Sequence, residues 1–216
     1  ILLYFFLFLI LGTVNNLYLN KLKLPKIEKI EIIGLDEQEN DKILKDLNSL
    51  YFQSLFFLNT IKIENILLSH SMIESFSIFR KFPSTLKINI KRTRILANRN
   101  VNGLNFLIGS NGKLIKSKKQ MNDVPLVFGN FDNKEFLKIK KIIDKTKLVY
   151  GNIDSIYYFG SKRWDIKMKN GILIKLPNKE VLSALKLAVD LLSSKKFEDI
   201  RIIDTRIDKQ IILNEQ

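Results

Sequence analysis

The chain has 216 residues, a formal net charge of +14, no cysteine and one histidine, His70. This composition excludes disulfides, thiolate metal sites, a cysteine nucleophile and any metal site built from several histidines. A charge of this size favours a polyanionic partner such as nucleic acid or anionic lipid. The basic residues are spread through the chain, however, and the aromatic residues do not accompany them. We therefore attribute the charge to a composition rich in Lys, Ile and Asn.

The first stretch, Ile1–Leu11 (ILLYFFLFLIL), is unbroken apolar sequence. A membrane-spanning helix needs about 20 such residues. Because the chain does not begin with Met, we interpret residues 1–16 as a transmembrane helix that is truncated at its start. The alternative is the hydrophobic region of a signal peptide, but no small-residue cleavage site follows. Residues 17–26 read as a polar, basic linker.

Residues 27–94 predict a small domain with the element order β-α-α-β-β. The first element is a strand, Ile27–Gly34. A helix over Asp41–Leu50 follows, which Asp36 or Asn40 could cap, and a second helix over about 60–71 is capped by Asn59 or Thr60. An aromatic loop, Phe52–Leu58, separates the two helices. We expect both helices to pack on one face of a three-stranded sheet.

A hairpin closes this domain. Its strands are Glu74–Lys81 and Thr85–Arg92, and Phe82-Pro83-Ser84 form the corner. In the second strand, aliphatic residues alternate with polar ones, which places the aliphatic side chains on one face. Pro83 has no N–H to donate, so it fits the corner and not the ladder.

Residues 95–216 predict a larger, mainly antiparallel β domain with packed helices. Asn170-Gly171 is the strongest local hairpin signal in the chain. The predicted helices cover Asp132–Val149 and Lys179–Ser194. The predicted strands include Val124–Phe128, Ser155–Phe159, Trp164–Lys169, Ile172–Leu176, Phe197–Arg206 and Gln210–Leu213. The fold class predicted for the whole chain is therefore α+β, with an N-terminal transmembrane helix, a small β-α-α-β-β domain and this larger β domain.

The sequence has few residues arranged for catalysis. It has no Gly-rich phosphate loop, no G-x-S-x-G and no zinc-protease motif. We interpret His70 as structural or solvated, and we expect solvated ion pairs between aspartates and arginines such as Arg163, Asp165, Asp204 and Arg206. We therefore predict no enzyme activity, no cofactor and no metal.

The last predicted strand, Gln210–Leu213, suggests a binding surface. A strand at the end of a chain is often the edge of a sheet, and an edge exposes backbone groups that another chain can complete. Arg201 and Arg206 lie close to it in sequence and could meet acidic residues of a partner. Trp164 is either a core residue of a hairpin or an anchor at a partner surface, and the core is the better-supported alternative.

The segments in this order resemble the FtsQ/DivIB family of bacterial cell division proteins from about Ile27 to Leu213. The first domain resembles that family's POTRA module, with IEIIGL at its start and FRKFPSTLKINIK at its hairpin. Phe82 stands where the family usually has Trp, and Ile95-Leu96-Ala97 replaces Pro-Val-Ala. The second domain resembles the family in FLIGSNGKLI, DVPLVFG, SKRWDIKMKNGILIKLP and IRIIDTRIDKQIIL.

This resemblance implies a non-catalytic, single-pass (type II) protein of the cell inner membrane whose main part is periplasmic and acts at the division septum. It implies a scaffold that links early and late divisome proteins and helps control septal peptidoglycan synthesis. It also implies that FtsB- and FtsL-like partners bind by strand addition at the C-terminal edge, and that the POTRA-like module contacts other divisome proteins.

The partner-binding residues that we expect on this basis are Arg163, Trp164, Arg206, Ile207, Gln210 and Ile212. Ile207 stands where the family often has an aromatic residue. A POTRA-containing periplasmic assembly or secretion adaptor is the alternative function, because such proteins carry the same module. An enzyme whose site lies between the two domains is a further alternative.

Overall fold

The structure is a computed structural model that describes residues 2–14, 24–194, 200–207 and 210–215. The chain forms two compact units. The first unit comprises Ile1–Ser69 with Phe76–Lys91, and the second comprises His70–Ser75 with Arg92–Gln216. Both units combine helices with a sheet, so the α+β part of the predicted fold class agrees with the structure.

The N-terminal apolar segment forms helix α1 (Leu2–Val14), which has 13 residues. At 1.5 Å per residue such a helix is about 20 Å long, whereas the hydrocarbon core of a bilayer is about 30 Å thick. Among the helices of the described ranges, none combines the length and the apolar character needed to cross a membrane. The predicted transmembrane helix over residues 1–16 is therefore wrong. Most of the predicted linker, residues 17–23, lies outside the described residues.

The first unit has the predicted order of elements after α1. These are β1 (Lys29–Ile33), α2 (Glu37–Asp46), α3 (Thr60–Ser69), β2 (Ile73–Lys81) and β3 (Thr85–Arg92). The strand order is β1-β3-β2, and β1 runs parallel to β3. Two 3₁₀ turns, Asn48–Phe52 and Leu55–Phe57, fill the segment predicted as an aromatic loop.

Local signals explain the boundaries of the first unit. Helix α2 begins four residues before the predicted Asp41 because the Asp36 carboxylate accepts a hydrogen bond from the backbone N–H of Glu39 at 3.0 Å. Gly34 follows β1 with φ +111°, and a Cβ there would lie 1.8 Å from the carbonyl oxygen of Ile90. Leu86, Ile88 and Ile90 are all buried on the inner face of β3, as their alternation predicts.

The second unit is built on a mixed sheet of nine strands. The strands are β4 (Ile95–Val101), β5 (Leu104–Gly109), β6 (Leu114–Lys116), β7 (Leu126–Phe128), β8 (Ile153–Tyr158), β9 (Trp164–Met168), β10 (Leu173–Lys175), β11 (Ile200–Asp204) and β12 (Ile212–Glu215). Their order is β12-β11-β10-β9-β8-β7-β4-β5-β6. The pairs β4–β7, β7–β8 and β10–β11 are parallel, and the other five neighbouring pairs are antiparallel.

Two helices, α4 (Asn133–Ile143) and α5 (Val181–Ser193), contribute to the core of this sheet. They bury Phe136, Ile139, Leu185 and other apolar side chains in one cluster with the sheet. Helix α4 ends six residues before the predicted Val149, because the Thr146 hydroxyl donates to the carbonyl oxygen of Ile143 at 2.8 Å and closes the last turn. The two helices thus cover one face of the sheet and, within the described ranges, leave the other face uncovered by helices.

Candidate functional site

Strand β12 is one edge of the nine-stranded sheet. It pairs antiparallel with β11, and its position in the strand order gives it no second neighbour among the described residues. The strand begins at Ile212, two residues later than predicted, and the predicted turn residues Asp208 and Lys209 lie outside the described residues. An edge strand of this kind can accept another strand through its free backbone groups.

Four of the residues predicted to bind a partner lie at this edge. Arg206, Ile207, Gln210 and Ile212 are all exposed, with Ile207 and Ile212 each 50% accessible. The first three line a cleft of about 480 Å³ against the start of α5, where Ala184 and the exposed Leu187 form part of the wall. The edge therefore combines exposed aliphatic side chains, a cation and a partly apolar cleft.

Arg206 is held in place by Asp204, the last residue of β11. The Arg206 Nε lies 2.8 Å and 2.9 Å from the two carboxylate oxygens of Asp204, and the Arg206 backbone N–H donates to the same carboxylate at 3.1 Å. The hydrogen bonds from Arg206 lower the pKa of Asp204, and the same pairing raises the pKa of Arg206. The guanidinium is therefore positioned at the edge before any partner arrives.

The other two predicted residues, Arg163 and Trp164, belong to the β8–β9 hairpin. Arg163 is half-buried, and its guanidinium lies over the ring of Phe159, 4.4 Å from the ring centroid. Trp164 is only 5% accessible and contacts Phe131 and Tyr158 in the core, with ring centroids 5.4 Å and 4.6 Å away. Trp164 therefore anchors the β8–β9 hairpin, which carries Arg163, in the core. Its ring is buried and does not lie on the protein surface.

The register of the strands brings distant residues into one row across the uncovered face. Asp165 on β9 lies opposite Lys175 on β10, Lys175 lies opposite Asp204 on β11, and Asp204 lies opposite Ile212 on β12. On the other side, Asp165 pairs with Tyr157, which stacks on Phe128 at 5.2 Å. The row therefore connects the edge strand to Asp165 through alternating charges.

Asp165 is the least satisfied member of this row. Its side chain is buried, and Arg163 Nε lies 3.7 Å from its Oδ1, which is too long for a hydrogen bond. Among the described residues, neither of these two atoms has a hydrogen-bond partner. Burial raises the pKa of Asp165, although Arg163, Arg206 and Lys175 act in the opposite direction.

The sequence predicts that Asp165 and Asp204 pair with arginines, but it does not indicate Lys175, Tyr157 or Phe128 as their neighbours. Period-two alternation does place Lys175 on an outward face, but its neighbours depend on the parallel pairing of β10 with β11. That pairing joins strands separated by helix α5 and has no local signal in the sequence. Within the described ranges, no group of three or more His, Asp or Glu side chains is arranged to hold a metal ion.

Two family models match the chain. The model "POTRA domain, FtsQ-type" matches residues 26–91, and the model "Cell division protein FtsQ/DivIB, C-terminal" matches residues 97–206. The second match ends at Arg206, so it includes Arg163, Asp165 and Asp204 and stops before β12.

Curated relatives agree with these matches. A "Cell division protein FtsQ" of Rickettsia bellii is 31% identical over 80% of this chain and 65% of its own length. A protein of the same name from Rickettsia conorii is 27% identical over 89% of this chain and 73% of its own length. The chain thus spans about two thirds to three quarters of these relatives.

A solved structure, the major extracytoplasmic domain of the cell division protein DivIB from Geobacillus stearothermophilus, also matches. It is 18% identical, covers 48% of this chain and 96% of its own, and has a TM-score of 0.35. A similarity of this size adds nothing to the family models. Since the family model of the second unit alone matches half of the chain, and the POTRA model matches most of the remainder, the chain belongs to the FtsQ/DivIB family of cell division proteins.

Proposed function

We propose that this division protein is a non-catalytic scaffold whose second unit binds an FtsB-like partner by strand addition to β12. The observation that carries the proposal is the position of β12 at the edge of the sheet, beside exposed Arg206 and Ile207. A partner segment in extended conformation would pair with β12 and become the tenth strand. Main-chain hydrogen bonds would supply affinity, and the flanking side chains would supply specificity.

The charges at the edge suggest which partner sequence would fit. Arg206 already has its guanidinium oriented by Asp204, so an acidic residue of the partner would gain a charge-assisted contact at low entropic cost. Arg163, oriented by Phe159, offers a second cation on the same domain. We therefore expect at least one acidic residue in the added strand or in the segment next to it.

The cleft beside α5 suggests an apolar anchor as well. Ile207, Ala184 and Leu187 give it an apolar wall, and its volume of about 480 Å³ is large enough for an aromatic or branched side chain. Anchors in such pockets at the centre of an interface contribute most of the binding energy. A partner strand with one acidic and one large apolar residue would thus use both features of the edge.

The remaining parts of the proposed function rest on family membership. We place the folded units on the periplasmic side of the inner membrane at the division septum, where an FtsL-like protein would join through the FtsB-like partner. The complex would link early and late division proteins and help control septal peptidoglycan synthesis. The POTRA-like unit would contact other division proteins.

Affinity measurements test strand addition directly. The full chain in mild detergent is titrated with a peptide from the periplasmic end of the FtsB-like protein of the same organism. We expect Ile207→Glu to weaken binding at least about tenfold, the equivalent of 1.4 kcal/mol, because a carboxylate would enter the apolar cleft. Arg206→Glu should weaken it further by placing like charges opposite each other.

The matched control is Leu104→Glu. Leu104 is 51% accessible, as exposed as Ile207, but it lies at the start of β5 far along the sheet from β12. This variant should bind as the wild type does. Equal binding by all four proteins, with unchanged circular dichroism, would rule out the closing edge as the binding surface.

A further inference from the structure

Four phenylalanines stand exposed at one end of the first unit. Phe52, Phe56, Phe57 and Phe82, here called the aromatic tip, are 74%, 51%, 80% and 57% accessible. Phe52 ends the first 3₁₀ turn, Phe56 and Phe57 form part of the second, and Phe82 lies at the β2–β3 corner. The Phe56 and Phe82 rings are in contact, with centroids 4.9 Å apart. Apolar surface concentrated in this way marks an interaction site.

The backbone beneath the tip is well anchored. Ile27 N–H donates to the carbonyl oxygen of Gln53, and Glu28 N–H donates to that of Ser84, both at 2.9 Å. These two bonds tie the tip loop and the hairpin corner to the segment that leads into β1. Leu50, Leu55 and Leu58 are buried beneath the tip. Leucine side chains therefore fill the core beneath the tip, and the four phenylalanines remain on its surface.

Cations surround the aromatic tip. The backbone of Lys26 pairs with that of Ser54 in an isolated β-bridge. Lys62 Nζ lies 3.4 Å from the Ser49 hydroxyl, and the Arg80 guanidinium donates to the carbonyl oxygen of Leu58 at 3.1 Å. Lys81 directly precedes Phe82, and all four cations are exposed. Glu28, an acidic residue beside the tip, accepts a hydrogen bond from the Ser84 hydroxyl.

The acidic residues at the start of helix α2 lie at the opposite end of the unit. Asp36 caps the helix, and Glu37 and Glu39 lie in its first turn, which follows the finish of β1. The tip adjoins the start of β1. Phenylalanines and cations therefore predominate at the tip, beside Glu28, and a group of carboxylates lies at the other end of the unit. An anionic surface would attract the tip and repel the far end.

We propose that the aromatic tip docks on an anionic lipid surface. Phe52 and Phe57 would enter the boundary between headgroups and acyl chains, and Lys62, Arg80 and Lys81 would contact lipid phosphates. An apolar patch with a rim of lysine and arginine is the pattern of interfacial membrane binding. A protein partner would instead require a complementary surface for side chains that project outward from three separate turns.

Helix α1 supports a lipid as the occupant. All its side chains from Leu2 to Leu11 are exposed, so they too require an apolar environment. Nine residues, 15–23, separate Val14 from Leu24. Ten chain steps reach about 35 Å at most. An apolar phase that covers α1 would therefore lie within this distance of Leu24.

Fluorescence quenching by brominated lipid tests this proposal in the full chain. The wild type has one tryptophan, the buried Trp164, which provides a constant background. A Phe57→Trp variant is mixed with vesicles of phosphatidylglycerol and phosphatidylcholine whose acyl chains are brominated. We expect the emission added by the new tryptophan to be largely lost, because the indole enters the interface.

The matched control is Ile33→Trp, at the far end of β1, where the native side chain is 52% accessible. Its emission should survive, although α1 is present in the same chain. Lys62→Glu and Lys81→Glu, added to Phe57→Trp, should restore most of the emission with anionic vesicles. Circular dichroism confirms that each variant is folded.

Three results would overturn the proposal. The first is full emission from Phe57→Trp on anionic vesicles. The second is equal quenching of Ile33→Trp, which would mean that α1 alone brings the chain to the vesicle. The third is quenching that neither charge reversal reduces, which would remove the role of the cations. The first result would leave the tip to a protein partner, and none of the three affects peptide binding at β12.

Discussion

The two units expose different chemistry at the places where they are open to a partner. In the first unit the exposed region is the aromatic tip, where phenylalanine side chains project and backbone groups are already hydrogen-bonded. The second unit ends in β12, where the strand edge is open and the side chains are mixed. A tip of the first kind suits a soft apolar phase with charged headgroups, whereas an edge of the second kind suits a polypeptide strand.

Aromatic residues show the same contrast within each unit. In the second unit, Phe131, Tyr158 and Trp164 pack against one another beneath the sheet. In the first unit, the rings lie outside a core made of aliphatic side chains. The same class of residue therefore stabilises one unit and is available for contacts in the other.

Truncating one buried and one exposed aromatic residue should give the largest difference. Trp164→Ala should lower the free energy of unfolding by about 3–5 kcal/mol, because it empties part of the core. Phe57→Ala should change it by less than about 0.5 kcal/mol. Urea unfolding followed by circular dichroism measures both values. A loss at Phe57 as large as that at Trp164 would mean that the tip is structural.

Arginine-to-lysine substitutions should cost more stability where the guanidinium makes several contacts than where it makes one. Arg99 bonds to Asn133 Oδ1 at 2.7 Å and to the carbonyl oxygen of Phe131 at 3.0 Å, and it lies 4.0 Å from the centroid of the Phe131 ring. Arg99→Lys should therefore cost about 1–2 kcal/mol in urea unfolding, because lysine cannot make this planar arrangement. Arg80→Lys, with one backbone bond on an exposed side chain, should cost about half as much or less.

Asp204→Asn should make the acid sensitivity of the second unit smaller. The folded pKa of Asp204 is depressed by Arg206, so its stabilisation is present above the unfolded pKa and is lost as pH falls through the folded pKa. The melting temperature of the variant should thus be lower than that of the wild type at pH 7. The two should converge below about pH 4. A difference that persists unchanged into acid would show that the carboxylate charge is irrelevant.

Asp165→Asn should give the smallest effect, with the opposite sign. Burial raises the folded pKa of Asp165, so the ionised carboxylate destabilises the fold at neutral pH, and this cost disappears as pH falls. The variant should melt slightly above the wild type at pH 7 and no higher than the wild type near pH 4. A lower melting temperature at pH 7 would indicate that the Arg163 pairing outweighs the burial.

Much of the fold could be predicted because its signals are local. The alternation in β3 and the Asn170-Gly171 turn between β9 and β10, where Gly171 has a positive φ, act over a few positions. The family motifs are local as well. The sequence predicts a helix over residues 1–16, whereas α1 covers Leu2–Val14, because a continuous apolar run carries no signal for the end of its helix. The boundaries predicted at 94 and 95 between the two domains remain a prediction.

The candidate site was less predictable. An edge strand at the end of the chain could be expected from Gln210–Leu213, and exposure of Ile207 agrees with that expectation. The row through Lys175 depends on strands brought together from distant parts of the sequence. The sequence predicts the parts of the aromatic tip only as a loop, Phe52–Leu58, and a hairpin corner at Phe82. Exposure of a phenylalanine depends on which neighbouring side chains already fill the core, and the sequence does not show this.

Amide hydrogen exchange in β12 would test the central claim most directly. The full chain is exchanged with and without the peptide from the FtsB-like protein, and the amides of Ile212–Glu215 are followed. We predict slower exchange of these amides in the complex and unchanged exchange around Phe52–Phe57, because the added strand completes the edge of the second unit only. Tight peptide binding without protection of β12 would contradict strand addition.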